Sequence, residues 1–206
     1  MITFALSKGR LADKILKMLK DLNLCDLSID ENDRRLVIES GEYRFFLAKP
    51  SDVPTFVDNG VADIGVVGKD TILEETRDIT EILDLGFGKC RMCVCAPNNA
   101  KDYKTYANIR VATKYPNIAK AYFDSIHQNS TIIKLNGSVE LAAIVGLSDV
   151  IVDIVESGRT LKENGLEPVE VIHELSARLV VNNASLKTKY DEILKIVKGF
   201  EEIVGE

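Results

Sequence analysis

Val150-Ile151-Val152-Asp153-Ile154-Val155-Glu156-Ser157-Gly158-Arg159-Thr160-Leu161 carries an apolar strand into a short polar turn and then a helix start. Five β-branched residues interrupted only by Asp153 form the pattern of a strand buried on both faces, as in a sheet covered by helices. Glu156 to Thr160 then offers backbone amides, two hydroxyls and a guanidinium. Gly158 can take the positive φ that turns successive N–H groups toward one anion. A helix beginning near Thr160 adds its positive dipole end to the same point. Read alone, the stretch also suits an ordinary strand-to-helix turn, because short glycine-containing loops are common.

Working outward, strands and helices alternate along most of the chain. Ile2 to Leu6 reads as a strand, and Leu11, Ile15, Met18, Leu19 and Leu22 then recur at helical spacing. Gly41-Glu42 joins Arg35–Ser40 to Tyr43–Ala48 as a hairpin. Val53 to Asn59 is a short helix with Pro54 in its first turn, ended by Gly60, and Ala62 to Val67 is the next strand. After a helix near Thr71 to Glu75, strands at Glu81–Leu85 and Lys89–Cys95 lead into a second lobe, where Pro97-Asn98-Asn99-Ala100 is the clearest turn. Strands at Arg110–Thr113, Thr131–Leu135 and Asp149–Val155 alternate with helices at Asn117–His127, Val139–Val145 and Leu161–Asn164. Val169 to Val181 reads as one long strand region crossing back. Leu186, Tyr190, Ile193, Val197, Phe200 and Val204 then form one amphipathic helix over the first lobe. The alternation predicts largely parallel sheets whose ligands sit at the strands' carboxyl ends, in two α/β lobes with a cleft between them. The expected lobes are 1–88 plus 180–206, and 89–179. The sequence has no internal repeat or low-complexity tract.

A chain of 206 residues with 46% hydrophobic and 28% charged side chains can bury a real core and is not a disordered tail. Net charge of −6 argues against a nucleic-acid surface, so phosphate binding must come from amides and a few local cations. No apolar stretch is long enough to cross a bilayer, and the residues after Met1 lack a signal peptide's cationic start, so the expected location is the cytoplasm. Cys25, Cys90, Cys93 and Cys95 lack the paired spacing of a zinc site, and His127 and His173 are isolated; the cysteines read as reduced, mostly buried thiols.

Glu140, Gly146, Asp153, Ser157-Gly158 and Thr160-Leu161, taken at their offsets, closely resemble the signature of ATP phosphoribosyltransferase, the family that joins ATP to phosphoribosyl pyrophosphate at the start of histidine synthesis. The resemblance covers nearly the whole chain. Ala5-Leu6-Ser7-Lys8-Gly9-Arg10-Leu11 looks like the family's opening strand and loop. Asp52-Val53-Pro54-Thr55-Phe56-Val57 and Gly60 to Asp70 resemble its second block, and Asp84 to Met92 and Arg110 to Pro116 are two more. Lys49 stands where many members carry an arginine, keeping the charge but not the planar fork, and Ala143 replaces the usual proline.

The resemblance implies a fold like the type II periplasmic binding proteins, with both chain ends in the first lobe. It implies Ser157, Gly158, Arg159 and Thr160 on the 5′-phosphate of phosphoribosyl pyrophosphate, and Asp153 on the ribose hydroxyls or facing a metal, with Glu140 a second candidate for that work. Lys8, Arg10 and Lys49 fall near the nucleotide phosphates and leaving group. Gly9, Asp70 and Lys114 join Lys8 and Arg10 on the ATP side. Lys8, Arg10, Lys49 and Asp153 are the expected catalytic groups, and Mg2+ is carried by the substrate phosphates rather than by a protein cage. Short family members resemble catalytic subunits that work with a histidyl-tRNA-synthetase-like regulatory partner, which implies a hetero-oligomer built on a homodimer of this chain. Two other readings share features with this one: a noncatalytic binding module of periplasmic type, and a nucleobase phosphoribosyltransferase, which lacks the blocks around Gly9, Asp52 and Gly65.

Overall fold

The computed structural model describes residues 1–25, 27, 35–98 and 102–205. Two compact units emerge, Met1–Gly88 with Ser176–Glu206, and Lys89–Leu175. The chain order opens with β1 (Ile2–Ser7), α1 (Arg10–Asp21), β2 (Val37–Ser40), β3 (Tyr43–Ala48), α2 (Val53–Asp58), β4 (Ile64–Gly68), α3 (Lys69–Glu75) and β5 (Ile79–Asp84). The second unit runs β6 (Cys90–Pro97), β7 (Ile109–Thr113), α4 (Pro116–Ser125), β8 (Ser130–Lys134), α5 (Glu140–Ile144), β9 (Val150–Val155), α6 (Arg159–Glu163) and β10 (Leu166–Leu175). The first unit is completed by β11 (Ala177–Asn182), α7 (Asn183–Thr188) and α8 (Tyr190–Gly205). Asn99 and Ala100 of the expected turn lie outside the described residues. Among those described, no helix is long and apolar enough to cross a membrane.

The first unit holds a six-stranded sheet in the order β2-β3-β1-β4-β11-β5, and the second a five-stranded sheet in the order β10-β6-β9-β7-β8. Each contains a strand-helix-strand-helix-strand series whose first strand lies in the middle: β1 pairs in parallel with β3 and β4, and β7 with β8 and β9. The remaining pairings are antiparallel. The sheets are therefore mixed rather than largely parallel. The β2-β3 hairpin reverses the chain at Gly41-Glu42, and β11 returns from the second unit to insert antiparallel between β4 and β5.

Both faces of the first sheet are buried. Phe4 and Leu6 of β1 pack with Ile15, Leu19, Phe45 and Phe200, while Ala5 points to the other side with Val53, Val57, Ala62 and Val180. Gly65 of β4 makes that second layer possible, because a Cβ there would stand 2.7 Å from Val57 Cγ2 and 3.0 Å from Val53 Cγ1. In the second unit Cys93, Cys95, Ile151 and Val155 pack with Leu161 and Leu166, and Met92 and Val94 on the opposite face are buried as well. Burial pushes the thiols of Cys93 and Cys95 upward, so both are uncharged packing groups.

Two expectations need correction. The region Val169 to Val181 is not one strand: β10 ends at Leu175, and β11 starts at Ala177 on hydrogen-bonding partners in β4 and β5. The chain thus re-enters the first unit at Ser176 rather than at 180. The last helix is two helices. Asn182 caps α7 by accepting from Ala184 N and Ser185 N, and Lys189 interrupts the run before α8. Tyr190 is consequently 53% exposed instead of joining the apolar stripe, while Ile193, Ile196, Val197 and Phe200 enter the core beside β1.

Candidate functional site

Three parallel strands of the second unit deliver their carboxyl ends side by side. Thr113 of β7 lies opposite Val152 of β9 and Lys134 of β8, so the residues that follow, Lys114, Asp153 and the segment leading to Glu140, share one edge. Glu140, Asp153, Ser157, Gly158, Arg159 and Thr160 all line one pocket of about 270 Å³. All six positions expected to hold phosphoribosyl pyrophosphate thus meet in one place.

The turn in that pocket has the conformation its sequence foretells. Gly158 sits at φ 71°, ψ 7°, the left-handed region that glycine enters at no steric cost, and α6 begins at the next residue. Ser157 Oγ accepts a 3.4 Å hydrogen bond from Arg159 N–H. The Ser157 and Thr160 side chains are exposed. Arg159, which also lines the pocket, has its Nε 2.8 Å from Glu163 Oε1 and an 84% exposed side chain.

Asp153 is half-buried. Burial raises its carboxyl above the ordinary aspartate range, and Glu140 adds to the rise, while the N–H of Ile154, which donates at 2.8 Å, and the Lys114 ammonium pull the other way. A carboxyl raised by burial, with a second carboxylate lining the same pocket, suits a cation or hydroxyl donors arriving with a ligand. Among the described residues no three His, Cys, Asp or Glu side chains gather into a group that could hold a metal ion.

The first unit repeats the arrangement. Ser7, Lys8, Gly9 and Arg10 leave the end of β1, Lys49 the end of β3, and Asp70 stands in the first turn of α3 beyond β4. Ser7 lies opposite Ala48, and Lys8 N–H donates 3.1 Å to the Ala48 carbonyl, so Lys8 and Lys49 leave neighbouring strand ends. Lys8, Arg10 and Lys49 are exposed. Asp70 folds back so closely over Gly68 that its Oδ1 would be 2.1 Å from a Cβ at that position. Lys69 instead turns to Glu81, which also receives Arg178.

Lys114 belongs by position with Asp153 in the second unit, while Lys8, Arg10 and Lys49 belong to the first. Sequence reasoning also missed the buried hydroxyls of Ser7 and Thr113, although each announces itself as a hydroxyl residue that closes an apolar strand directly before a lysine.

The family model described as ATP phosphoribosyltransferase (HisG) matches residues 49–202. ATP phosphoribosyltransferase of Lachnoclostridium phytofermentans is 57% identical over 210 residues, covering 100% of this chain and 98% of its own. That of Clostridioides difficile is 52% identical over 204 residues, covering 98% of each. A chain of the ATP phosphoribosyl transferase (HisG:HisZ) complex from Thermotoga maritima superposes with a TM-score of 0.86 at 36% identity, over 100% of this chain and 99% of that one.

Proposed function

The chain belongs to the ATP phosphoribosyltransferase family, and on that footing we propose that it condenses ATP, through adenine N1, with 5-phosphoribosyl 1-pyrophosphate to give N1-(5-phosphoribosyl)-ATP and pyrophosphate, the first step of histidine biosynthesis. The observation that carries this reading is the convergence of Glu140, Asp153 and the Ser157–Thr160 turn in one pocket of a chain related over its full length to named enzymes. Two α/β lobes of the type II periplasmic-binding kind form its scaffold.

In this reading the amides of Gly158, Arg159 and Thr160 and the hydroxyls of Ser157 and Thr160 hold the 5′-phosphate. Asp153 accepts from the ribose hydroxyls, with Glu140 beside it. Lys8, Arg10 and Lys49, with Gly9 and Asp70, receive the nucleotide and its phosphates; Lys114 we assign to phosphoribosyl pyrophosphate because it flanks Asp153. The adenine N1 lone pair needs no strong base, so the residues act by orienting two reactants and by countering charge as the bond from C1′ to pyrophosphate breaks. The family is active with a divalent metal. We take it to be Mg2+, which would help neutralise the departing pyrophosphate, and Asp153 and Glu140 are the side chains that would meet it.

We also place the chain, in the cytoplasm, in a hetero-oligomer with a histidyl-tRNA-synthetase-like regulatory subunit, built on a homodimer. The likeness to a chain of a HisG:HisZ complex supports the hetero-oligomer. The reading is tested by mixing purified protein with Mg2+, ATP and phosphoribosyl pyrophosphate, with and without that subunit, and following phosphoribosyl-ATP by mass spectrometry. Product in either mixture is expected. Folded protein that yields none in both would overturn the reading in favour of a noncatalytic binding module.

A further inference from the structure

The two units carry the same device at the carboxyl end of the central one of their three parallel strands. Ser7, the last residue of β1, is 1% exposed, and its Oγ donates 3.0 Å to the Val66 carbonyl of neighbouring β4. Thr113, the last residue of β7, is fully buried, and its Oγ1 donates 2.7 Å to the Val152 carbonyl of neighbouring β9 while accepting the Tyr115 N–H at 2.9 Å. In each case the next residue is a lysine, Lys8 or Lys114, and a helix begins three residues after the hydroxyl, at Arg10 or Pro116. In each case a backbone bond ties the same corner to the third strand or the residue beyond it: Lys8 N–H to the Ala48 carbonyl of β3, and Leu135 N–H, just past β8, to the Thr113 carbonyl.

Neither hydroxyl is needed to fill space. A valine or alanine would pack in a strand end that is otherwise apolar and buried, and a buried hydroxyl is unfavourable unless hydrogen-bonded. What the hydroxyl adds is a lock on the backbone from which the lysine departs. At Thr113 the lock reaches the residue directly before Asp153, so the origin of Lys114 and that of Asp153 are fixed to each other. Resting on the function proposed above, we infer that Ser7 and Thr113 are matched positioning residues, Ser7 setting Lys8 on the nucleotide side and Thr113 setting Lys114 on the phosphoribosyl pyrophosphate side.

The test is steady-state kinetics of the assembled enzyme with each substrate varied in turn, using Thr113→Val, Thr113→Ser, Ser7→Ala, Ser7→Thr, Lys114→Met and Lys8→Met. A net hydrogen bond of about 1 kcal/mol corresponds to about a fivefold change in a binding constant. Thr113→Val should therefore raise KM for phosphoribosyl pyrophosphate about five- to tenfold and leave KM for ATP within about twofold, and Ser7→Ala should do the reverse. The Ser and Thr exchanges, which keep the hydroxyl, should restore the parent values. If Thr113→Val or Ser7→Ala fails to fold, the paired exchange and the lysine variants still decide the matter. Loss of the substrate split, with both KM values moving together or neither moving, overturns the proposal provided Lys114→Met and Lys8→Met still discriminate between substrates. Lysine variants that discriminate between neither substrate would overturn the assignment of the lysines itself, and the positioning role with it.

Discussion

Lys189 Nζ lies 2.8 Å from both carboxylate oxygens of Asp63, a pairing that ties the joint between α7 and α8 to the residue directly before β4. Asp63 also accepts from Ser185 Oγ at 2.6 Å and from Thr3 N–H at 2.8 Å, so three separate segments meet on one buried carboxylate. Burial alone would raise its pKa, but the bonds from Lys189, Ser185 and Thr3 hold it below the ordinary aspartate value of 3.8. The unfolded chain thus binds the proton more readily. The stabilisation is complete above the unfolded value and is lost as pH falls below about 4 through the folded value. Asp63→Asn should destabilise the protein at neutral pH by about 3 kcal/mol, the lower end for breaking a buried pair because Lys189 can reach water. It should also flatten the acid limb of stability, as read by urea unfolding from pH 3 to 7. An unchanged acid limb would count against this account.

Gly65→Ala tests the closeness of α2 to the first sheet. The added methyl would meet Val57 Cγ2 at 2.7 Å and the Val53 and Val180 methyls at 3.0 Å, all in side chains without exposure to water. Overpacking of this kind costs about 2 kcal/mol, and the double variant Gly65→Ala with Val57→Ala should recover part of it. Equilibrium urea denaturation measures both, and a single variant as stable as the parent would mean that α2 shifts freely.

How far the sequence could be read depended on distance along the chain. The Gly158 turn was legible because its conformation is set by glycine at that position and its neighbours in a single stretch. The hairpin at Gly41-Glu42 was legible for the same reason. Strand direction was not: β11 inserts antiparallel between β4 and β5 because the chain comes back from another unit, and no local pattern records where it re-enters. At the break between α7 and α8 Lys189 pairs with Asp63, 126 residues away, which a spacing argument does not register. The hydroxyl partners of Ser7 and Thr113 lie 59 and 39 residues off, which is why a strand-closing hydroxyl could be seen but its use could not. Arg159 pairs with Glu163 one helical turn away, a partner that the local spacing does display.

Gly158→Ala should separate conformation from space. The new Cβ would sit 3.6 Å from Val155 Cγ1, an ordinary contact, so the cost is the left-handed backbone alone, about 1 kcal/mol. Either stability falls by that amount or the turn relaxes and its amides lose their common direction. The second outcome should weaken phosphoribosyl pyrophosphate binding by about five- to tenfold, measurable by calorimetry. Binding and unfolding both at parent values would show that the left-handed turn is not required.

Asp153→Asn should weaken the substrate and strengthen the fold. Its carboxyl is raised above 3.8 by burial first and by Glu140 second, so in the free protein the charged form is the disfavoured one. For an acid with a raised folded pKa, the stabilisation is present below the unfolded value and lost as pH rises through the folded value; at neutral pH the charge is a net cost. An uncharged asparagine of nearly the same shape removes that cost, and Tm at pH 7 should equal or exceed the parent's. Binding of phosphoribosyl pyrophosphate should nonetheless fall by the equivalent of about 1.5–3 kcal/mol, the loss of a charge-assisted hydrogen bond. In the parent, kcat/KM for this substrate should decline as pH drops through the raised carboxyl, and the variant should lack that limb. Opposite movement of stability and binding is the mark of a group kept for chemistry. If Asp153→Asn lowered Tm and left binding alone, the carboxylate would be part of the scaffold and the ribose hydroxyls would have to be met elsewhere.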